Sequence, residues 1–190
     1  AQVMSDLIKE GKITHWGISE ANEDYLRRVH AVCPVTAIEN RYSMMARQHA
    51  ALFPVLKELG VGFVAFSPMA NGFLTGAYGR GQTFDAQTDY RAAMPQFTDE
   101  AVEKNRTLLE LLRDTSASHN ATPAQISLAW MIDRPEHIVP IPGSRKPERM
   151  RENLAAGEVN LSAAEVAELD AALDGMEMSD VYGGTALKNR

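Results

Sequence analysis

Four short apolar runs, each closing on polar or glycine-bearing residues and each followed by a helix-like stretch, constrain this chain most tightly. They are Lys12–Ile18 ending at Ser19, Pro34–Ile38 ending at Glu39–Tyr42, Val61–Phe66, and Ile138–Ile141. Val61–Phe66 is continuously apolar, as expected of a parallel strand buried on both faces. Helix signals fill the intervals. Met4, Leu7 and Ile8 repeat at helical spacing up to Gly11, and Asn22 is placed to cap a helix carrying Tyr25, Leu26 and Val29. A short helix follows with Pro54 in its first turn and Gly60 as its stop. Ala101, Leu108 and Leu112 mark one helix over 98–118, and Thr122-Pro123-Ala124-Gln125 is a capping box opening another. Pro147 opens a helix to about Ala156, and Ser162-Ala163-Ala164-Glu165 caps a last one. The order is one helix, four strand–helix units and a final helix, which predicts an α/β fold with four parallel strands joined by helical crossovers, all in one domain over 1–190. Residues 68–97 lack periodicity, and a stretch of that length inside a domain tends to be functional. The tail from Ser179 is expected to be loose.

Composition excludes several classes. With 19 Lys+Arg against 25 Asp+Glu, the net charge of −6 lacks the basic footprint of a nucleic-acid binder. No apolar run nears the ~20 residues of a membrane span, and no charged-then-apolar leader is evident. Cys33 stands alone and the five histidines show no ligand spacing, so neither a disulfide nor a metal is expected, and a reducing cytoplasmic setting follows. Gly60-Val61-Gly62-Phe63-Val64-Ala65 has the letters of a dinucleotide fingerprint, but it enters a β-branched and aromatic run where that motif must open a helix. Gly17-Ile18-Ser19-Glu20-Ala21 falls one residue type short of a nucleophile elbow.

Position carries more. Ligand sites of parallel α/β folds gather at the carboxyl ends of strands. There the chain places Ser19-Glu20, Glu39-Asn40, Ser67 to Gly76, and Pro142 to Lys146. The glycines of Ser67–Gly76 allow close backbone approach to a ligand. Pro142–Pro147 runs into a helix N-terminus, whose free N–H groups favour an anion, and Arg145, Lys146 and Arg149 add three cations.

Three of these segments, Gly17–Ala21, Phe66–Gly76 and Ile141–Asn153, together with Lys9-Glu10-Gly11-Lys12, resemble the aldo-keto reductase family in order and spacing. The resemblance covers nearly the whole chain and implies a TIM barrel that reduces aldehydes and ketones with NADP(H). By that likeness Ser19 would bond the nicotinamide carboxamide, Glu39 stands where Gln is usual, and Phe66 where an aromatic stacks on the ring. Ser67, Pro68, Met69, Gly72 and Leu74 would lie along the pyrophosphate. Ser144, Arg145 and Arg149 would hold the adenosine 2′-phosphate, Glu152 and Asn153 the adenine, and Gly143 is a further cofactor-binding residue. Two departures stand out: Glu39 loses a donor and adds charge, and Asn71 replaces a common basic residue. Trp16, Trp130 and Cys33 read as core, and Met44-Met45 as either core or substrate mouth.

The resemblance also implies what is absent. The family's Asp, Tyr, Lys and His tetrad comes from the first four strand–helix units, and this chain opens in the helix before the fifth strand. Tyr25, Tyr42, Tyr78, Tyr90 and Tyr182 do not correspond, so no catalytic residue is assigned. A full eight-stranded barrel takes ~250 residues. The chain therefore reads as the C-terminal, cofactor-binding half of a (β/α)8 barrel, a piece of a longer reductase that alone would not turn over a carbonyl. Two alternatives remain: a half barrel completed by an N-terminal half or a second copy, and a non-catalytic nucleotide-binding or interaction module. Residues 77–97 and the Gly183-Gly184 tail would shape the small-molecule substrate site, with Tyr78, Phe84, Tyr90 and Phe97 as aromatic walls.

Overall fold

The computed structural model describes residues 1–134, 136 and 138–181. Its helices are α1 (Gln2–Lys9), α2 (Glu23–Val32), α3 (Phe53–Leu59), α4 (Asp99–Lys104), α5 (Arg106–Ser118), α6 (Pro123–Ile132), α7 (Pro147–Leu154) and α8 (Ala163–Asp174). Its strands are β1 (Gly17–Ser19), β2 (Ala37–Arg41), β3 (Gly62–Phe66) and β4 (Ile138–Pro140), all parallel and in the order β1-β2-β3-β4. This is the expected α/β arrangement, with each strand laid beside its predecessor by a helical crossover.

Local chemistry sets the boundaries. Asn22 accepts from the Tyr25 amide, and both arms of the Thr122/Gln125 and Ser162/Glu165 capping boxes form. Gly60 ends α3 at φ 66°, a left-handed conformation that glycine adopts without steric cost. That placement also removes Gly60-Val61-Gly62 from any phosphate-loop role.

Five expectations need correction. The first strand pairs only over Gly17–Ser19 rather than from Lys12, because β2 begins at Ala37, after Pro34, which has no amide to donate. The second strand accordingly runs on to Arg41 and carries Glu39 and Asn40 within its ladder. The helix over 98–118 breaks at Asn105, whose side chain is taken by Ser179 (Nδ2 to Oγ 2.7 Å; Ser179 N to Oδ1 3.0 Å). The same bonds tie down Ser179, and Val181 is buried, so the tail is anchored through 181; Tyr182, Gly183 and Gly184 lie outside the described residues. Finally, the stretch after β3 contains 3-10 turns at Ala70–Thr75, Tyr90–Ala93 and Pro95–Phe97 and packs Tyr78, Phe84 and Phe97 into one aromatic cluster.

The sheet has two unlike faces. Ile38, Asn40, Phe63, Ala65 and Ile138 point to the helical layer and are buried. There Trp130 of α6 stacks on Tyr42 at 5.4 Å, and Met44 and Met45 are buried with them, which settles that pair as core. The other face carries Ser19, Glu39, Val64 and Val139 in one row of the register, with Val139 57% exposed. Nothing in the described chain covers that row.

Candidate functional site

Strand β3 ends at Phe66 and passes into backbone that side chains rarely tolerate. Ser67, Ala70 and Asn71 have φ of 52°, 47° and 59°, and Gly72 reaches 98°. Each non-glycine residue held there costs about 1–3 kcal/mol, and such strain persists only where surroundings enforce it. Enforcement is visible. The amides of Gly72 and Leu74 both donate to the Met69 carbonyl, at 2.9 and 3.2 Å, and Phe73 and Leu74 are wholly buried beneath the turn. Gln96, also fully buried, donates from Nε2 to the Ala70 carbonyl at 3.3 Å.

This strained turn forms one wall of a cavity of about 450 Å³. The loop after β4 supplies the second wall through Gly143, Ser144 and Arg145, which lead into α7. No side chain caps the first turn of α7, and Pro147 occupies its start, so the helix presents free amides toward incoming anions. Arg145, Lys146 and Arg149 are exposed and have no carboxylate within ion-pair distance among the described residues.

The third wall comes from the segment beyond Gly76. Arg91 is gripped bidentately by Asp89, donates to Tyr78 Oη at 2.5 Å, and lies over the rings of Tyr78 and Phe84 at 5.0 and 4.5 Å. Those bonds hold the Asp89 carboxyl at about 2, far below its ordinary range. Tyr78 and Tyr90 line the cavity as walls, whereas Phe84 and Phe97 stand behind in the aromatic cluster. Thr88, Asp89 and Arg91 went unanticipated, since the packing that brings them here is tertiary.

Of the residues singled out from sequence, Ser67, Pro68, Met69, Gly72, Gly143, Ser144, Arg145, Arg149 and Asn153 come together around this cavity. Ser19, Glu39 and Phe66 sit instead on the uncovered sheet face; the Ser19 hydroxyl donates to the Glu39 carbonyl at 2.9 Å, and the Arg41 guanidinium lies 5.3 Å from the Phe66 ring. Leu74 presents no surface at all, so the expectation that it lines a ligand gives way to a role in packing the floor. Glu152 is half-buried, outside the cavity, with its carbonyl accepting from Gln125 at 3.2 Å. Among the described residues no group of His, Cys, Asp and Glu is arranged to hold a metal, and no helix is long and apolar enough to cross a membrane.

A parallel α/β sheet with a cationic cavity at the carboxyl ends of its last two strands defines the class. The family model for aldo/keto reductases matches residues 1–174, and the chain belongs to that family. It is 35% identical over 183 residues to a probable aldo-keto reductase 1 of Glycine max, covering 95% of this chain and 51% of that protein. The chain spans about half the length of the curated relatives it matches. Among solved structures, glycerol dehydrogenase from Gluconobacter oxydans superposes with a TM-score of 0.82 at 20% identity, over 90% of this chain and 52% of that one. An aldo-keto reductase from Klebsiella pneumoniae in complex with NADPH gives 0.64 at 22% identity, over 90% of this chain and 51% of that one. These likenesses place the four strands within a TIM-barrel fold.

Proposed function

We propose that this chain is the NADP(H)-binding half of a barrel oxidoreductase that reduces aldehydes or ketones in a reducing, cytoplasmic setting. The observation that carries the reading is the cavity's donor set. Strained backbone at 67–72 meets a helix N-terminus and two guanidinium groups, Arg145 and Arg149, that have no acidic partner among the described residues. Diphosphate and 2′-phosphate groups are matched by that set: planar guanidinium donors suit phosphate oxygens, and helix amides suit an anion. Gly143 leaves room for close approach, since a Cβ there would meet nothing within 4 Å. The dinucleotide, when bound, supplies the hydride for carbonyl reduction.

Ser19, Glu39 and Phe66 then take the nicotinamide end, on the sheet's open face. Ser19 spends its proton on the Glu39 carbonyl and so offers lone pairs, and the Glu39 carboxylate is exposed and acceptor-only. A primary carboxamide, with two N–H donors, complements that pair. Phe66 offers a flat apolar surface at the strand end.

The proton donor toward the carbonyl oxygen falls to the remaining barrel half. Among the described residues two features support a missing half: nothing covers the row Ser19, Glu39, Val64 and Val139, and no strand pairs with the outer edge of β4. Beside that edge lies an apolar groove of about 740 Å³ with Ile132, Met150 and Leu154, the last 80% exposed. Closure of a barrel removes such edges. On this reading residues 1–190 form one structural unit of a longer reductase acting on a small carbonyl compound. Titrating the protein with NADPH while following dihydronicotinamide fluorescence tests it. Saturable enhancement without consumption of an added aldehyde is expected, and an unchanged signal overturns the reading.

A further inference from the structure

Beyond the residues that would touch the dinucleotide, one buried group holds the turn after β1 in place. The turn Ser19-Glu20-Ala21 leaves β1 with Glu20 at φ 54°, a left-handed conformation unfavourable for a residue with a Cβ. Four hydrogen bonds pin this turn to the end of β2. The Glu39 carbonyl accepts from Ser19 Oγ at 2.9 Å and from the Glu20 amide at 3.2 Å. Beyond it the ladder has no backbone partner for Ala21. The Asn40 side chain takes that place: its Oδ1 accepts from the Ala21 amide at 3.2 Å, and its Nδ2 donates to the Ala21 carbonyl at 3.0 Å. A side-chain amide thus adds one peptide-like rung to the sheet.

Asn40 is 0% exposed, so its remaining Nδ2 proton needs an internal acceptor. That acceptor is Nδ1 of His49, 3.0 Å away and itself buried at 5% exposure. Because Ala21 fixes which end of the amide is nitrogen, His49 Nδ1 must be the unprotonated nitrogen and its proton sits on Nε2. Burial favours this neutral ring and pushes the His49 pKa below its ordinary value; the nearby Glu20 carboxylate opposes that shift and Arg41 reinforces it.

We propose that Asn40, backed by His49, is a positioning residue of the cofactor site, locking the Ser19-Glu20-Ala21 turn so that Ser19 faces the nicotinamide carboxamide. The inference rests on the NADP(H) reading and deepens it, since neither residue touches the dinucleotide. Asn40 acts through the turn. Its loss leaves the phosphate cavity intact, because none of its hydrogen bonds reaches Ser67–Gly72 or Gly143–Arg149.

The test separates the two ends of the ligand. Adenosine 2′,5′-bisphosphate probes only the phosphate and adenine end, whereas NADPH fluorescence also senses the nicotinamide. In the unmodified protein both bind. In Asn40→Ala, NADPH affinity falls about tenfold with a smaller fluorescence enhancement, the size expected when a two-point hydrogen bond is removed, while bisphosphate affinity stays within about twofold. His49→Gln, which leaves the Asn40–Ala21 pair in place, gives the same selective loss at about threefold and serves if Asn40→Ala does not fold. Unchanged NADPH binding, or an equal loss for both ligands in His49→Gln, overturns the positioning role. Failure of the unmodified protein to bind the bisphosphate overturns the cofactor reading itself.

Discussion

Around β3 and β4, the carboxyl rim of the sheet is open, strained and cationic; around β1 and β2, it is tied down and rich in acceptors. In the first region Arg145 and Arg149 stand exposed without acidic partners among the described residues, and consecutive residues 70–72 hold positive φ. In the second, four hydrogen bonds link residues 19–21 to 39–40, and the polar groups behind them, Asn40 and His49, are buried. Unpaired cations and free helix amides attract and retain an anion by charge, which tolerates some imprecision. Uncharged orientation of a ring does not, and requires fixed groups. On the proposed NADP(H) reading, the first region supplies affinity and the second supplies geometry.

The contrast can be broken in graded steps. Replacing both guanidinium groups, Arg145→Ala with Arg149→Ala, removes charge-assisted bonds worth about 1.5–3 kcal/mol each, so NADPH binding weakens at least about a hundredfold while NADH binding changes little. Isothermal titration at two salt concentrations checks this, because the lost component is the one that salt screens. A smaller effect follows from Gly72→Ala. Its φ of 98° is foreign to alanine, and the added Cβ meets Tyr78 Cε2 at 3.3 Å. A loss of about 1–3 kcal/mol is expected, lowering the melting temperature by roughly 2–10 °C. Gly143→Ala, with open space around its Cβ, should change melting by no more than about 0.5 kcal/mol. If both glycine variants melt alike, the strain assigned to the 67–72 turn is wrong.

The tied region responds to pH instead. His49 has a lowered pKa in the folded protein, so the unfolded chain takes up that proton first as acidity rises. Its contribution to stability is whole above the ordinary histidine pKa of about 6.5 and declines as pH falls below it, toward the folded value. Melting curves between pH 8 and pH 5 should therefore show a steeper acid decline for the unmodified protein than for His49→Gln. Parallel declines would remove His49 from the clasp.

How far these regions were legible depended on the range of the interactions that build them. Caps and stops are local, so Asn22, Gly60 and the two capping boxes could be read directly from spacing. The cavity between β3 and β4 was legible for a similar reason: the positions of Ser67–Gly72 and Gly143–Arg149 follow from where those strands end. The resemblance to a family supplied what spacing could not, the order of roles along the dinucleotide. Long-range contacts were invisible. Asn105 breaks a helix because Ser179, 74 residues away in sequence, takes its side chain. Arg91 reaches the cavity only through its packing between Tyr78 and Phe84. The resemblance set Leu74 along the pyrophosphate, yet the turn buries it in the core. Asn40 appeared only as a polar residue at a strand end, and nothing in its neighbours revealed that it completes the sheet.

Recognition of the 2′-phosphate by Arg145 and Arg149 is the account's central claim, and competition between NADPH and NADH for the unmodified protein measures it most directly. The expected result is at least about a hundredfold preference for NADPH, about 2.8 kcal/mol, that disappears when both arginines are replaced by alanine. Equal affinity for the two dinucleotides, or a preference that survives the double replacement, would contradict it.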